Sequence, residues 1–158
     1  MSHSHFIKET LVLAITSREN GNHPFGALLV HNGSIILRSE NTVVTSNDVT
    51  QHAELNLVRE ASIKFGKKLL KESSLYTSTE PCAMCAGAIY WAGIRKVIFG
   101  LTAQRLGELT TGSFIVESKT IFQHGTETVD IVGPIDIFEA EKVHYNFWAK
   151  ERPCLRSF

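Results

Sequence analysis

The sequence predicts an α/β domain in which a β-hairpin is followed by strand–helix–strand units. Asn32 and Gly33 stand between two apolar runs, and this pair is the strongest short hairpin signal because both residues tolerate positive φ. Two later runs of β-forming residues, at 74–78 and 96–100, are separated by enough chain for a crossover helix. Such a crossover implies parallel pairing of the two strands.

Helical periodicity marks the start and the middle of the chain. Apolar side chains recur at helical spacing over residues 6–19, with Ser4 as the candidate N-cap, and again over residues 51–65. Gly66 is placed to end the second of these helices. The segments predicted between them are two hairpin strands and a polar turn, at residues 27–31, 34–40 and 42–50.

A third helix is predicted over residues 82–92, because Pro81 suits a helix start and Gly93 a helix end. Asp136 is the candidate cap of a closing helix. The C-terminal predictions are a loop, a segment that fits either a short helix or an irregular turn, a strand and this closing helix, at residues 102–113, 114–122, 129–132 and 137–150.

Composition predicts a single globular domain spanning residues 1–158. Sixteen basic and sixteen acidic residues give a formal net charge of zero, which disfavours a large nucleic acid as the main partner. Three cysteines are an odd number, so a disulfide framework is not expected and a reducing compartment is. With no signal-peptide pattern and no apolar run of membrane-spanning length, we expect a cytoplasmic protein without a membrane partner.

The chemistry of the chain is concentrated in a histidine with a glutamate two residues on, His52 and Glu54, and in a cysteine pair, Cys82 and Cys85. This pairing is the signature of zinc-dependent nucleobase deaminases, in which one histidine and two cysteines hold the metal and the glutamate moves protons. Three protein ligands leave a fourth position open for water, as in catalytic zinc sites. We therefore expect one Zn²⁺ per subunit, with Glu54 as the catalytic acid and base.

The competing interpretation is a non-catalytic zinc-binding or redox protein, because a Cys-x-x-Cys pair by itself is common in both. A structural zinc site needs a fourth strong ligand, and the candidates are Cys154, His124 and His144. This interpretation leaves Glu54 without a role, so the catalytic interpretation is favoured.

Around these residues the chain resembles the cytidine deaminase-like superfamily, over about residues 6–148. Within it, the chain is similar to the small guanine deaminases, the nucleoside deaminases and the tRNA adenosine deaminases. The resemblance implies a three-layer α/β/α sandwich around a five-stranded mixed sheet, and usually a homodimer. The segments that carry it are Pro24-Phe25-Gly26-Ala27, Asn41, Thr45-Ser46-Asn47-Asp48, His52-Ala53-Glu54, Tyr76-Thr77-Ser78, Glu80-Pro81-Cys82 and the stretch from Cys85 to Ala92.

The resemblance also implies substrate-binding roles. Asn41 matches an asparagine that hydrogen-bonds the base, and Phe25 and Trp91 match aromatic positions near the pocket. The backbone N–H groups of Ala53 and Cys82 are expected to face the attacked edge of the base or the water.

The predicted function is hydrolytic deamination of a free nucleobase or nucleoside, with a guanine-type purine favoured. Phe25, Tyr90 and Trp91 resemble the guanine deaminases, whereas the mixed charges of residues 137–150 do not resemble a tRNA-binding helix. The alternative is a tRNA wobble adenosine deaminase that converts adenosine to inosine.

Two departures from the guanine deaminases bear on the choice of base. The acidic residue that these enzymes place before a Ser-Phe pair is missing, because Thr110, Thr111 and Gly112 precede Ser113. The chain ends in Phe158 rather than in the tyrosine that completes a neighbouring site in some relatives. Whether this tail completes a neighbour's site stays open from the sequence.

Overall fold

The computed structural model describes residues 2–112 and 114–148, and at its centre is a mixed sheet of five strands. The strands are β1 (Gly26–His31), β2 (Ser34–Glu40), β3 (Ser74–Thr79), β4 (Lys96–Leu101) and β5 (Asp130–Val132). The helices are α1 (His3–Glu19), α2 (Val43–Ser46), α3 (Ala53–Lys64), α4 (Lys67–Glu72), α5 (Ala83–Ala92), α6 (Ala103–Thr110), α7 (Ser118–Phe122) and α8 (Ile137–Lys142).

The strand order across the sheet is β2-β1-β3-β4-β5. β1 pairs antiparallel with both β2 and β3, while β3 with β4 and β4 with β5 are parallel. The hairpin prediction is confirmed, since Asn32 and Gly33 at its turn have φ of 49° and 74°. The parallel pairing across the crossover helix is confirmed as well.

Helices cover both faces of the sheet and make three layers. Because side chains alternate along a strand, β3 buries Leu75 on one face and Tyr76 on the other. Leu75 packs in a core that includes Leu57 of α3 and Ile89 of α5. Tyr76 packs in a second core that includes residues of α1 and α8. The five-stranded α/β/α sandwich implied by the resemblance is thereby confirmed.

Several boundaries differ from the sequence predictions. The cap of α1 is Ser2, whose side chain accepts from the His5 N–H, and not Ser4. Gly66 precedes the short helix α4 as its N-cap residue and does not close α3, which ends at Lys64. The polar turn at residues 42–50 contains α2, and the expected loop at residues 102–113 contains α6.

The closing helix is shorter than predicted, because α8 ends at Lys142 and the chain continues in turns. Asp136 occupies the N-cap position but has no side-chain cap bond; its carboxylate accepts a hydrogen bond from Ser4 Oγ at 2.6 Å. The predictions for Ser113, Cys154 and Phe158 lie outside the described residues. No helix within the described ranges is both long and apolar enough to cross a membrane.

Candidate metal centre

Phe25 and Asn41, two of the predicted site residues, lie at one edge of the sheet, where three strand ends meet. Gly26 at the start of β1 lies opposite Glu40 at the end of β2, and Ala27 lies opposite Thr77 near the end of β3. Phe25 precedes β1 and Asn41 follows β2, and the Asn41 N–H donates to the Phe25 carbonyl at 3.1 Å. The chain leaves β3 at this same edge and enters α5.

The metal-ligand candidates stand at the N-termini of two neighbouring helices. His52 is the N-cap residue of α3, Cys82 is the N-cap residue of α5, and Cys85 lies in the first turn of α5. Nδ1 of His52 is 3.7 Å from Sγ of each cysteine. The three ligand atoms lie within 4.8 Å of one another, so one ion can contact all of them.

The donor set suits zinc, because one imidazole nitrogen and two thiolates match the softness and coordination that Zn²⁺ prefers. Both cysteines are free thiols. Neither His124 nor His144 belongs to this group of ligand atoms. The described residues therefore supply three ligands and leave a fourth coordination position open, as a catalytic site requires.

The thiols and the imidazole perturb one another. The hydrogen bond with Cys85, helped by His52, lowers the pKa of Cys82 to about 4 although burial opposes this. Burial lowers the pKa of His52, but the hydrogen bond with Cys82 and the charge of Glu54 outweigh it and raise that pKa. The hydrogen bond with Cys82 and burial raise the pKa of Cys85. A bound metal ion favours the thiolate of both cysteines.

Glu54 is buried beside the ligands without belonging to their group. Its Oε2 lies 3.8 Å from Sγ of Cys85, and its Oε1 accepts a hydrogen bond from Thr77 Oγ1 at 2.8 Å. Burial raises the pKa of Glu54, against the opposing charge of His52. A carboxyl group with a raised pKa is suited to accept and return protons.

Asn41 brings a buried amide to the same edge, with only 1% of the residue exposed. Its Oδ1 accepts from the Val43 N–H at 3.1 Å, which fixes the orientation of the amide. Its Nδ2 has no hydrogen-bond partner among residues 2–112 and 114–148. Ala53, the first residue of α3, is also fully buried, and N–H groups in the first turn have no partner within their own helix.

An aromatic cluster packs around Phe25 and contains the nearby His23 and two residues distant in sequence, His144 and Trp148. The centroid of the Phe25 ring lies 5.5 Å from that of His144, 6.1 Å from that of Trp148 and 6.5 Å from that of His23. Burial, with the charge of His52 adding to it, lowers the pKa of His23 to about 4. The sequence prediction named only Phe25, because histidine and tryptophan at these positions carry no spacing signal.

Trp91 is placed differently. Its side chain is on the surface, with 83% of the residue exposed, and its ring packs edge-on against Tyr90 at 5.8 Å. Trp91 lines a surface groove together with Lys67 and Lys71. The pocket role of Trp91 stays a prediction.

Comparison with known families agrees with this geometry. The model of a family described as the cytidine and deoxycytidylate deaminase zinc-binding region matches residues 1–101. The chain belongs to this family of zinc-binding deaminases, which are hydrolases acting on carbon–nitrogen bonds other than peptide bonds.

Relatives within the family differ in what they act on. The chain is 38% identical over 148 residues to a probable cytosine deaminase of Schizosaccharomyces pombe, covering 90% of each chain. It is 45% identical over 100 residues to the guanine deaminase of Bacillus subtilis, covering 63% of this chain and 64% of that one. A solved structure of a deaminase that edits adenosine 34 of tRNA is 32% identical, covers 88% of this chain and 98% of the other, and superposes with a TM-score of 0.72.

Proposed function

We propose that this protein is a zinc-dependent hydrolytic deaminase of a free nucleobase or its nucleoside. The reaction replaces an exocyclic amine by a carbonyl group and releases ammonia. The observation that carries the proposal is the similarity to a relative named as a cytosine deaminase, which spans 90% of both chains. A guanine-type purine, predicted from the sequence, remains the first base to test, followed by cytosine.

Each residue of the site has a defined part in this proposal. His52, Cys82 and Cys85 hold zinc, which when bound acts as a Lewis acid and makes water a nucleophile near neutral pH. Glu54 takes a proton from the attacking water and delivers protons to the ring nitrogen next to the attacked carbon and to the leaving amine. Water and the aminated ring thereby become a carbonyl compound and ammonia.

Recognition of the base is assigned to Asn41, Phe25 and the first turns of the two helices. A buried amide N–H without a partner is costly, and Asn41 Nδ2 has none within the described part of the chain, so an acceptor on the ligand that binds it is favoured. The Phe25 ring offers an apolar wall for a planar base. The N–H groups of Ala53 and Cys82 complete the polar contacts.

The test is release of ammonia by the zinc-loaded protein. The panel contains guanine, adenine, cytosine, isocytosine, their nucleosides and an anticodon stem-loop RNA with adenosine at the wobble position. Each compound is also run with Glu54→Ala. Turnover of a base or nucleoside that the variant loses supports the proposal, and turnover of the RNA alone contradicts it.

The alternative function is wobble adenosine deamination in tRNA. The favouring observation is the 32% identity with the tRNA-editing structure over 88% of this chain. Binding of tRNA through its phosphates weakens steeply with salt. An affinity for the stem-loop that falls strongly from about 50 to 200 mM salt supports this alternative.

We further propose a cytoplasmic homodimer. Free thiols at Cys82 and Cys85 fit a reducing compartment. Trp91 on α5 and Ile63 on α3 expose large apolar surfaces that a second copy can cover. Light scattering of the wild type and of Trp91→Glu tests this, with a dimer that the variant converts to a monomer as the expected result.

A further inference from the structure

Thr77 is a polar residue near the end of β3 whose neighbours on the two adjacent strands are apolar. It lies on the central strand β3, with Ala27 of β1 and Phe99 of β4 as its lateral neighbours. Alternation along β3 places it on the same face as Leu75, within the layer that holds α3 and α5. None of its surface is exposed. A hydroxyl group in such a place is unfavourable unless it makes hydrogen bonds.

The partners of this hydroxyl are a catalytic candidate and a backbone carbonyl. Oγ1 of Thr77 is 2.8 Å from Oε1 of Glu54 and 3.0 Å from the carbonyl oxygen of Thr79. A hydroxyl carries one proton and two lone pairs, so it can donate to a carboxylate, or donate to the carbonyl while accepting from a carboxylic acid. It can therefore hold the Glu54 carboxyl group in one place whether or not that group carries a proton.

The hydrogen bond from Thr77 also orients the Glu54 carboxyl group relative to the metal-ligand candidates. With Oε1 held by Thr77, Oε2 is the oxygen on the side of Cys85, 3.8 Å from its Sγ. When Cys85 binds a metal as a thiolate it has no proton to donate. In the described part of the chain, the side chains that hydrogen-bond Glu54 are those of Cys85 and Thr77. Once Cys85 is a thiolate, the bond from Thr77 is the one that remains.

We propose that Thr77 is a positioning residue that fixes the carboxyl group of Glu54 for proton transfer in the deamination reaction. The proposal rests on the proposed function. It assigns Thr77 no contact with the substrate and no contact with the metal. Its effect is expected in kcat rather than in substrate binding, because a misplaced acid–base group slows the chemical step.

The experiment compares Thr77→Val, which keeps the shape and removes the hydroxyl, with Thr77→Ser, which keeps the hydroxyl. We expect Thr77→Val to lower kcat about 100-fold while KM stays within about threefold, and Thr77→Ser to recover most of kcat. Zinc content is expected to be unchanged in both. A kcat of Thr77→Val within about threefold of wild type, or an equal loss in Thr77→Ser, overturns the proposal.

Thr10→Val is the matched control for general destabilisation. Thr10 is also a fully buried threonine whose hydroxyl donates to a backbone carbonyl, that of Ile7, but it lies in the layer formed by α1. Its replacement is expected to lower Tm without changing kcat. If it lowers kcat as much as Thr77→Val does, the effect of Thr77 is structural and the proposal fails.

A double-mutant cycle gives a result that does not depend on turnover. Tm is measured for wild type, Thr77→Val, Glu54→Ala and the double variant. If Thr77 and Glu54 interact directly, the double variant is expected to lose less Tm than the sum of the losses in the two single variants. If the losses are additive, the proposal is contradicted. If wild type deaminates nothing in the panel, the proposed substrate class fails, and this cycle alone decides the contact between Thr77 and Glu54.

Discussion

Glu80 accepts two hydrogen bonds from Ser118, one from the backbone N–H and one from Oγ, each at 2.8 Å. Its other carboxylate oxygen accepts from the Ala103 N–H at 2.9 Å. Ala103 and Ser118 are the first residues of α6 and α7, so one buried carboxylate serves the N-termini of two helices. Glu80 thereby ties both helices to the segment that carries Cys82.

We predict that Glu80→Gln lowers the free energy of unfolding by about 1–3 kcal/mol, because an amide cannot accept at both of its ends and leaves one helix N–H unpaired. Urea unfolding measures the change. The control is Glu127→Gln, which removes the same charge from exposed ion pairs with Lys71 and Arg95 and is expected to cost much less. An equal decrease in the free energy of unfolding in the two variants would show that the hydrogen bonds of Glu80 do not account for its contribution to stability.

Replacing Glu54 by glutamine is predicted to abolish most turnover while leaving the metal in place. Glutamine can still accept from Thr77 but cannot transfer protons, so kcat is expected to fall at least about 100-fold. Glu60→Gln, on the exposed side of the same helix where Glu60 pairs with Lys64, is expected to behave as wild type. Ammonia release and zinc content measure both variants, and an active Glu54→Gln would exclude the assigned acid–base role.

Removal of zinc is predicted to abolish activity and to lower Tm, because the ligands join the starts of α3 and α5. A ligand present at a thousand times its Kd contributes about 4 kcal/mol of stability, which corresponds to roughly 8 °C or more for a domain of this size. Chelation followed by reloading, monitored by calorimetry, tests this. Cys85→Ser should reproduce the loss, and Cys154→Ser, which removes the third thiol, should retain zinc.

Acid is predicted to destabilise the protein through His144. Burial, with the charge of Arg18 adding to it and that of Glu141 opposing it, lowers the pKa of His144 to about 4. The unfolded chain binds a proton near the ordinary value of about 6.5, so it holds more protons than the native state between these values. Stability is therefore complete above about pH 6.5 and falls as the pH drops towards 4.

From pH 7 to pH 5 this histidine is expected to account for a loss of about 2 kcal/mol. His144→Asn can still accept from Trp148 Nε1, as Nδ1 of the histidine does at 3.2 Å, and it removes the titration. Urea unfolding at the two pH values should show a smaller loss in this variant than in wild type. The exposed His5→Asn serves as control, and an unchanged pH dependence in His144→Asn would contradict the assignment.

The parts of the fold that sequence reasoning predicted are those fixed by local chemistry. The Asn32-Gly33 turn, the apolar strands and the Gly93 helix end depend on neighbouring residues only, and each lies where predicted. The grouping of His52 with the two cysteines was also predictable, because each motif stands at the start of a helix and the pairing is characteristic.

The parts that sequence reasoning missed depend on distant contacts. Helix α6 contains Gly107, a poor helix former, but Ile115 packs against this glycine so closely that a Cβ atom would collide with its side chain. The sequence predicts Ser4 as the cap of α1, but its hydroxyl donates a hydrogen bond to Asp136, which lies 132 residues further along the chain. The cluster of His144 and Trp148 with Phe25 likewise joins residues that are distant in the sequence.

The metal-ligand candidates and Glu54 all precede Thr102 in the sequence. The residues that follow Thr102 form α6, α7 and α8 and include His144 and Trp148, which pack on Phe25. The reacting groups and the C-terminal side chains that pack on Phe25 are thus encoded in separate stretches of the gene. We expect substitutions of the C-terminal side chains that pack on Phe25 to change which molecule binds, while the metal-ligand candidates and Glu54 stay in place. Chimaeras joined near residue 102, in which the hydrogen bonds of Glu80 to Ala103 and Ser118 are kept, test this expectation.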